Sequence, residues 1–150
     1  MSDTPRTRCD FYRAVCDLPA VIDASGRISF STGMVGALRM PADLGQRVKA
    51  GLDRQKLGGG PVISHPRSHT WLFLVRPDIP ESPDDEPSLW RNHVHVIRRG
   101  GSVALPGPSE SRSQYRAWIS APRSAFRPSG LVVLDQVRAC LRGSGVRVGA

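Results

Sequence analysis

Apolar residues occur along this chain mostly in short runs bounded by turn-forming residues, and only a few longer segments carry a helical period. The clearest helix is predicted within residues 41–57, where Leu44, Val48 and Leu52 recur every four positions. Pro41 suits the first helical position, because its missing N–H would have no partner there. A run of three glycines follows and is expected to end the helix before a buried strand.

A second amphipathic helix is predicted near the C-terminus, over residues 127–145. Ser129 is a candidate N-cap of this helix, and Gly143 is expected to close it. A shorter helix is predicted over residues 5–16. The apolar face of the C-terminal helix consists of Leu134, Val137 and Leu141.

The remaining apolar runs have the length and the β-branched composition of strands. Residues 20–31 predict a hairpin with Gly26 in its turn, and residues 34–40 predict a strand. Residues 61–65 and 69–77 predict two strands joined by a tight corner. The second of them is apolar on both faces, which is typical of a strand at the centre of a sheet.

Residues 93–108 predict another hairpin, with Gly100 and Gly101 at its turn, and residues 115–122 predict a last strand. Strands therefore come mostly as neighbouring hairpins, with helices between groups of them. This order is typical of an α+β domain. We expect a mixed, mostly antiparallel sheet of about five or six strands with two or three helices.

The chain of 150 residues has the length of one domain. We expect the domain to span residues 11–142, with a flexible N-terminus at 1–10 and a flexible tail at 143–150. Residues 77–88 contain four prolines and five of the 13 acidic residues, which predicts a solvated loop.

No long apolar run and no apolar N-terminal segment occur in the sequence, so we expect a cytoplasmic protein without a membrane partner. Three cysteines without a signal peptide indicate reduced thiols rather than a disulfide framework. Cys16 and Cys140 are expected to pack in the core.

The formal net charge is +8, and only two of the 21 basic residues are lysines. Such a balance favours contact with polyanions, but it also fits an arginine-rich surface that is simply solvated. Trp71 and Trp90 are the candidate stacking surfaces, with a core position as the alternative for Trp71. The candidate nucleic-acid-binding residues are Arg47, Arg54, Arg67, Arg98 and Arg99.

Glycines 58–60 invite comparison with a phosphate-binding loop. Such a loop lies after a strand and before a helix, whose free N–H groups face the anion. Here the predicted order is reversed, so the glycines are interpreted as a helix stop rather than a nucleotide site.

The four histidines form two sequence pairs, which raises the question of a metal site. His93 and His95 would share a face if both lay on one strand, and His65 and His69 could converge across a tight turn. The usual spacing of zinc ligands is missing, so these histidines are weak candidates and no metal or other cofactor is expected. The acidic cluster Asp84, Asp85 and Glu86 is interpreted as solvated charge, because a proline-flanked loop supports a metal pair poorly.

Several strings together carry a family resemblance over roughly residues 11–142. They are GALRMPADLGQRVKAGLDRQKLGGGPVISH, WLFLV, SVALPGP, YRAWISAP and RPSGLVVLDQVRACLR. This pattern resembles short proteins of high-GC Gram-positive bacteria that are related to the bifunctional DNA primase/polymerase N-terminal domain. Some of these relatives are labelled DNA-directed RNA polymerase subunit beta, a name we interpret as inherited.

The resemblance implies a primase/polymerase-like fold. Active members of that family hold divalent metal with an Asp-x-Asp pair, which this chain lacks, and His65 is the only histidine whose strand-end context resembles the family's Gly-Pro-Val-x-His string. Without these carboxylates nucleotidyl transfer has no metal clamp, so no catalytic residue is assigned.

We therefore expect a non-catalytic, nucleic-acid-associated or regulatory binding module. A protein-interaction module acting through the acidic loop is one alternative, and a metal-dependent enzyme using the histidine pairs is another. The expected partners are accordingly nucleic acid or a protein.

Overall fold

A computed structural model describes residues 3–81, 86–108 and 115–148. The helices are α1 (Pro5–Ala14), α2 (Ala42–Arg54), α3 (Glu86–Arg91) and α4 (Gly130–Val148). The strands are β1 (Val21–Ile22), β2 (Ile28–Ser31), β3 (Gly36–Pro41), β4 (Val62–His65), β5 (Thr70–Val75), β6 (His95–Ile97), β7 (Ser102–Leu105) and β8 (Ala117–Ser120).

The strands form two sheets in which every pair is antiparallel. The larger sheet has the order β6-β3-β5-β4-β8, and the smaller one has the order β1-β2-β7. The α+β class and the antiparallel pairing are confirmed, and β5 lies at the centre of the larger sheet as its apolar faces predict. We call this five-stranded sheet the central sheet.

Each face of the central sheet packs against a different layer. One face, which includes Leu38 and Phe73, lies against α2 and α4. The opposite face, which includes Ala37 and Leu72, lies against α1 and the smaller sheet. Because side chains alternate along a strand, the register of β3 and β5 alone divides these residues between two apolar cores.

The packing of α2 depends on a glycine. A Cβ at Gly45 would lie 2.9 Å from the Trp71 ring, so only glycine allows the helix to approach β5 this closely. The predicted face of Leu44, Val48 and Leu52 is confirmed as buried, and Trp71 lies in the same core. Pro41 is the last residue of β3 rather than the first of the helix, because its extended backbone pairs with Thr70.

Helix α1 joins both sheets through one buried phenol. The Tyr12 hydroxyl donates to the Pro106 carbonyl at 2.6 Å and accepts from Trp118 Nε1 at 2.9 Å. Pro106 follows β7 of the smaller sheet, and Trp118 lies on β8 of the central sheet. The helix also contributes Cys9 to the core, where Cys16 is buried as predicted.

Helical backbone extends into both of the terminal segments named in the sequence analysis. Helix α1 begins at Pro5, inside the segment expected to be flexible, because the Thr4 and Thr7 side chains and backbone groups bond reciprocally in a capping box. Helix α4 continues past Gly143 to Val148. A glycine in an exposed helix costs only about 1 kcal/mol, so Gly143 does not end the helix.

The predicted hairpin over residues 93–108 is wrong. Strand β6 pairs with β3 in the central sheet, whereas β7 pairs with β2 in the smaller sheet. Gly100 does adopt a positive φ of 87°, as a turn requires, but the chain then crosses between the sheets instead of reversing.

The chain does not form this hairpin because a threonine far away in sequence binds the turn. Thr32, only 4% exposed, donates from its hydroxyl to the Arg98 carbonyl at 2.5 Å and accepts from the Gly101 N–H at 2.9 Å. Its own N–H donates to the Gly101 carbonyl at 2.8 Å. Residues 98–101 lead from the central sheet to the smaller sheet, and residues 32–35 lead from the smaller sheet, at β2, back to the central sheet, at β3. We call these two segments together the double crossover.

The predicted loop 77–88 is partly ordered, and its residues 82–85 lie outside the described ones. The Asp78 carboxylate accepts from Ser129 Oγ at 2.5 Å and from the Leu131 N–H at 3.0 Å, at the start of α4. Burial by itself would raise the pKa of Asp78, but these hydrogen bonds outweigh it and hold the pKa below its usual value. Ser129 is confirmed as a cap, since its hydroxyl also accepts from the Val132 N–H.

The prediction that the three glycines end α2 is wrong, because the helix already ends at Arg54 with Gln55 as its C-cap, and Lys56 adopts the positive φ of 58° that turns the chain. The position of the glycines is nevertheless as predicted. They separate the helix from β4, and their order of helix, glycines and strand is not that of a phosphate loop. Among the described helices, none combines the length and apolarity needed to cross a membrane.

Candidate nucleic-acid interface

Polar side chains converge on one face of the central sheet, at the end where β4 finishes and β5 begins. Cross-strand pairing places Arg39 beside His95 and Thr70 beside His65, and alternation puts all four on the face shared with Ala37 and Leu72. The apolar residues of this face are covered by α1 and the smaller sheet, whereas Arg39 is exposed. The group that we call the sheet-end patch consists of Arg39, His65, Thr70, His95 and Arg116.

The surroundings of His65 are cationic. Burial lowers the pKa of His65 below the usual histidine value of 6.5, and the positive charges of Arg116 and Arg39 lower it further. The imidazole is therefore neutral at neutral pH, and it lies between two guanidinium groups. Such an arrangement suits an anion, which would relieve the repulsion among the positive charges.

His95 repeats this arrangement on the other side of Arg39. Burial lowers the pKa of His95, and Arg39 and His93 add to the effect. Within the residues that the structure describes, the Arg39 side chain forms neither a hydrogen bond nor an ion pair. Its charge is thus available to a ligand.

Exposed aromatic rings lie on both sides of the sheet-end patch. Trp90 of α3 is 67% exposed, and its ring meets the His95 ring edge to face with centroids 5.8 Å apart. Tyr115, just before β8, is also exposed, and the Arg67 guanidinium lies 4.0 Å from the centre of its ring. These rings provide stacking surfaces at the β6 edge and at the β8 edge.

The five arginines predicted from the sequence do not form one surface. Arg67 lies in the β4–β5 turn beside the sheet-end patch. Arg47 and Arg54 lie on α2, on the opposite face of the central sheet, where Arg47 donates to the Cys140 carbonyl at 3.4 Å. Arg98 and Arg99 lie in the double crossover, at the opposite end of β3.

The two tryptophans named as stacking candidates have different positions. Trp71 is buried against α2, so the core alternative is confirmed for it, whereas Trp90 is exposed. Of these two tryptophans, Trp90 is therefore the one positioned to stack with a ligand.

The two histidine pairs are not brought together as metal ligands. His69 and His93 lie in turns with positive φ, so neither shares a strand face with its sequence neighbour. His65 and His95 do share a face, but β4 and β6 are three strand spacings apart, about 14 Å. Across residues 3–81, 86–108 and 115–148, no three His, Cys, Asp or Glu side chains could hold one metal ion.

The acidic cluster predicted to be solvated lies largely outside the described structure. Asp84 and Asp85 are not described, and Glu86 is the first residue of α3. The alternative of a protein-interaction module acting through this loop stays a prediction.

The sequence reasoning missed Arg39 and Arg116. Arg39 left a signal, because it is the one charged residue within the apolar run of β3, and alternation places it on the face of Ala37. Arg116 left none, since only the pairing of β8 with β4 brings it near His65.

The chain was compared with known proteins at three levels. No protein-family model, no curated protein and no solved structure matches it. The sheet-end patch is therefore interpreted from its own geometry and charge.

Proposed function

We propose that this protein is a non-catalytic nucleic-acid-binding module that holds single strands across the sheet-end patch. The observation that supports it best is the exposed Arg39, which carries an available charge between two half-buried histidines at the uncovered end of the sheet face. The primase/polymerase-like fold stays a prediction from the sequence resemblance.

Two kinds of interaction would hold the strand: positive charges would bind its phosphates, and aromatic rings would stack with its bases. Arg39, Arg67 and Arg116 supply positive charge for phosphate groups along the patch. Trp90 and Tyr115 supply rings on which unpaired bases stack. A duplex offers no free base faces, so the exposed rings favour single strands over double strands.

The size of the patch fits a short segment of a strand. The β6 and β8 edges are four strand spacings apart, about 19 Å. That distance accommodates a few nucleotides, at the lower end of the roughly 4–16 nucleotides that single-strand-binding folds cover.

Fluorescence anisotropy with a labelled single strand of about 12 nucleotides tests the proposal. If the three arginines neutralise three phosphates, a plot of log affinity against log salt has a slope of about −2. Substitution Arg39→Gln should weaken binding and reduce the steepness of this slope by about 0.7. The matched control is Arg54→Gln, because Arg54 is exposed on the opposite face of the central sheet.

Two results would contradict the proposal. One is the absence of binding at low salt. The other is an equal loss of affinity in the Arg39→Gln and Arg54→Gln variants, which would indicate diffuse attraction to the whole positive surface. Stronger binding of the matching duplex would retain an electrostatic role but remove the stacking role of Trp90 and Tyr115.

A further inference from the structure

A second concave region lies at the opposite end of the central sheet from the sheet-end patch. It opens where the two sheets separate, beside the double crossover, and its volume is about 590 Å³. We call it the crossover cleft. Its volume falls within the roughly 300–1,000 Å³ of typical small-molecule sites.

The walls of the crossover cleft combine apolar and polar surface in about equal parts, and several aliphatic side chains supply the apolar part. Val75 ends β5, Val96 and Ile97 lie on β6, and Ile79 faces them from the loop that follows β5. Gly33 and Gly36 leave additional room, and the nearest atom to a Cβ built at Gly33 is 4.0 Å away. A flat or narrow apolar group could therefore enter without displacing the backbone.

The charges at the cleft are unbalanced. Arg76, Arg98 and Arg99 line it, with Glu81 as the single acidic residue among the described side chains that line it. In the described part of the chain, the side chains of Arg76 and Arg99 have no hydrogen-bond or ion-pair partner. A cleft lined by one sign of charge concentrates its electric field and attracts counter-ions.

Arg98 has a different role at the same cleft. Its guanidinium donates to the Glu81 carbonyl at 2.8 Å and to the Ile79 carbonyl at 3.4 Å. These bonds hold the wall formed by the loop after β5. Arg98 is thus a positioning residue, whereas Arg76 and Arg99 are available to contact a ligand.

We propose that the crossover cleft binds a small organic anion with an apolar body, whose acidic group contacts Arg76 and Arg99. The apolar walls favour burial of a ring or short chain, and the two arginines favour a single carboxylate, sulfonate or phosphate group. This inference is independent of the proposed nucleic-acid function, because the sheet-end patch lies at the other end of β3 and β5.

The probe pair is anilinonaphthalene sulfonate and its neutral analogue phenylnaphthylamine, which share an apolar body and differ in the anionic group. Fluorescence titration of the full chain should show saturable binding of the sulfonate and at least about tenfold weaker binding of the neutral analogue. In an amide nuclear magnetic resonance spectrum, the sulfonate should shift Gly33, Gly36 and Gly101.

Three variants locate the site. The double variant Arg76→Gln/Arg99→Gln should lose about tenfold or more in sulfonate affinity, whereas Arg54→Gln should bind normally. Gly33→Leu should block the cleft, because its side chain would extend into open space. Melting temperatures of all variants show whether each remains folded.

The proposal is overturned if the sulfonate does not bind saturably, or if the neutral analogue binds equally well. Amide shifts confined to residues outside the cleft would also overturn it. Because the amide shifts are measured on the unmodified chain, the test remains decisive even if a variant does not fold.

Discussion

The two ends of the central sheet carry arginines in contrasting surroundings. At the sheet-end patch, Arg39 is exposed at the uncovered end of a sheet face, near two histidines and two exposed aromatic rings. At the crossover cleft, Arg98 is bound to loop carbonyls, and its neighbour Arg99 lines a partly apolar cavity. We therefore propose that arginines bind a polyanion at one end of the sheet and bind a small anion or hold a loop at the other. The position of each arginine in the strand register determines which role it can have.

The contrast extends to hydroxyl groups. Thr32 at the cleft end is buried and bonds to backbone groups of two other residues, whereas Thr70 at the patch end bonds to the Ser68 hydroxyl at 2.8 Å near the surface. Polar groups thus hold the fold together at one end and remain available to ligands at the other.

The largest expected effect on stability comes from removing the buried Thr32 hydroxyl at the cleft end of the central sheet. Thr32→Val leaves the Arg98 carbonyl and the Gly101 N–H without their hydroxyl partner, so we expect a loss of about 1–3 kcal/mol in the free energy of unfolding. The matched substitution Thr70→Val should cost less than about 0.5 kcal/mol, because water replaces the lost bond. Urea denaturation measures both, and equal losses would remove the proposed difference between the two ends.

A smaller effect, on the affinity for a single strand, tests the proposed ligand-binding role of the patch end. Trp90→Ala should weaken single-strand binding by about 1–2 kcal/mol, the contribution of one stacked base, without changing the salt slope. Phe126→Ala is the control, because Phe126 is similarly exposed and lies away from the patch, beside Ser124. Anisotropy titrations at several salt concentrations separate the two contributions, and a changed slope would argue against stacking.

The smallest effect is a pH dependence of stability that arises at the patch end. The folded-state pKa of His65 lies below its unfolded value of 6.5, so the unfolded chain binds more protons between these two values. Stability should therefore fall as pH decreases below about 6.5. Substitution His65→Gln should flatten this dependence in denaturation series between neutral and mildly acidic pH. An unchanged profile would show that burial and the charges of Arg116 and Arg39 do not lower the pKa of His65 in the folded chain.

Local signals in the sequence were sufficient for much of the fold. The turn at Gly26, the four-residue period of α2 and the doubly apolar β5 each depend on neighbours in sequence, and each is confirmed. The misplaced hairpin at Gly100 depends instead on Thr32, which is 66 residues from Arg98. Nothing in a local window shows such a partner.

The candidate site was predicted less well than the fold. Arg67 and Trp90 were named from composition and lie beside the sheet-end patch, whereas Arg47 and Arg54 lie on the opposite face. The number of basic residues in a sequence does not tell on which face of the fold each of them lies. Only the order of the five strands brings Arg39 between residues from β4 and β6.

The double crossover also bears on how this chain folds and exchanges its amide hydrogens. Two of the connections between the sheets meet at Thr32, so separating the sheets at this end would break the hydrogen bonds of this threonine to Arg98 and Gly101. Both sheets should therefore open in a single cooperative event, with similar protection of their amides against exchange. An anion seated in the crossover cleft would slow exchange in strands of both sheets, including ones that it never touches.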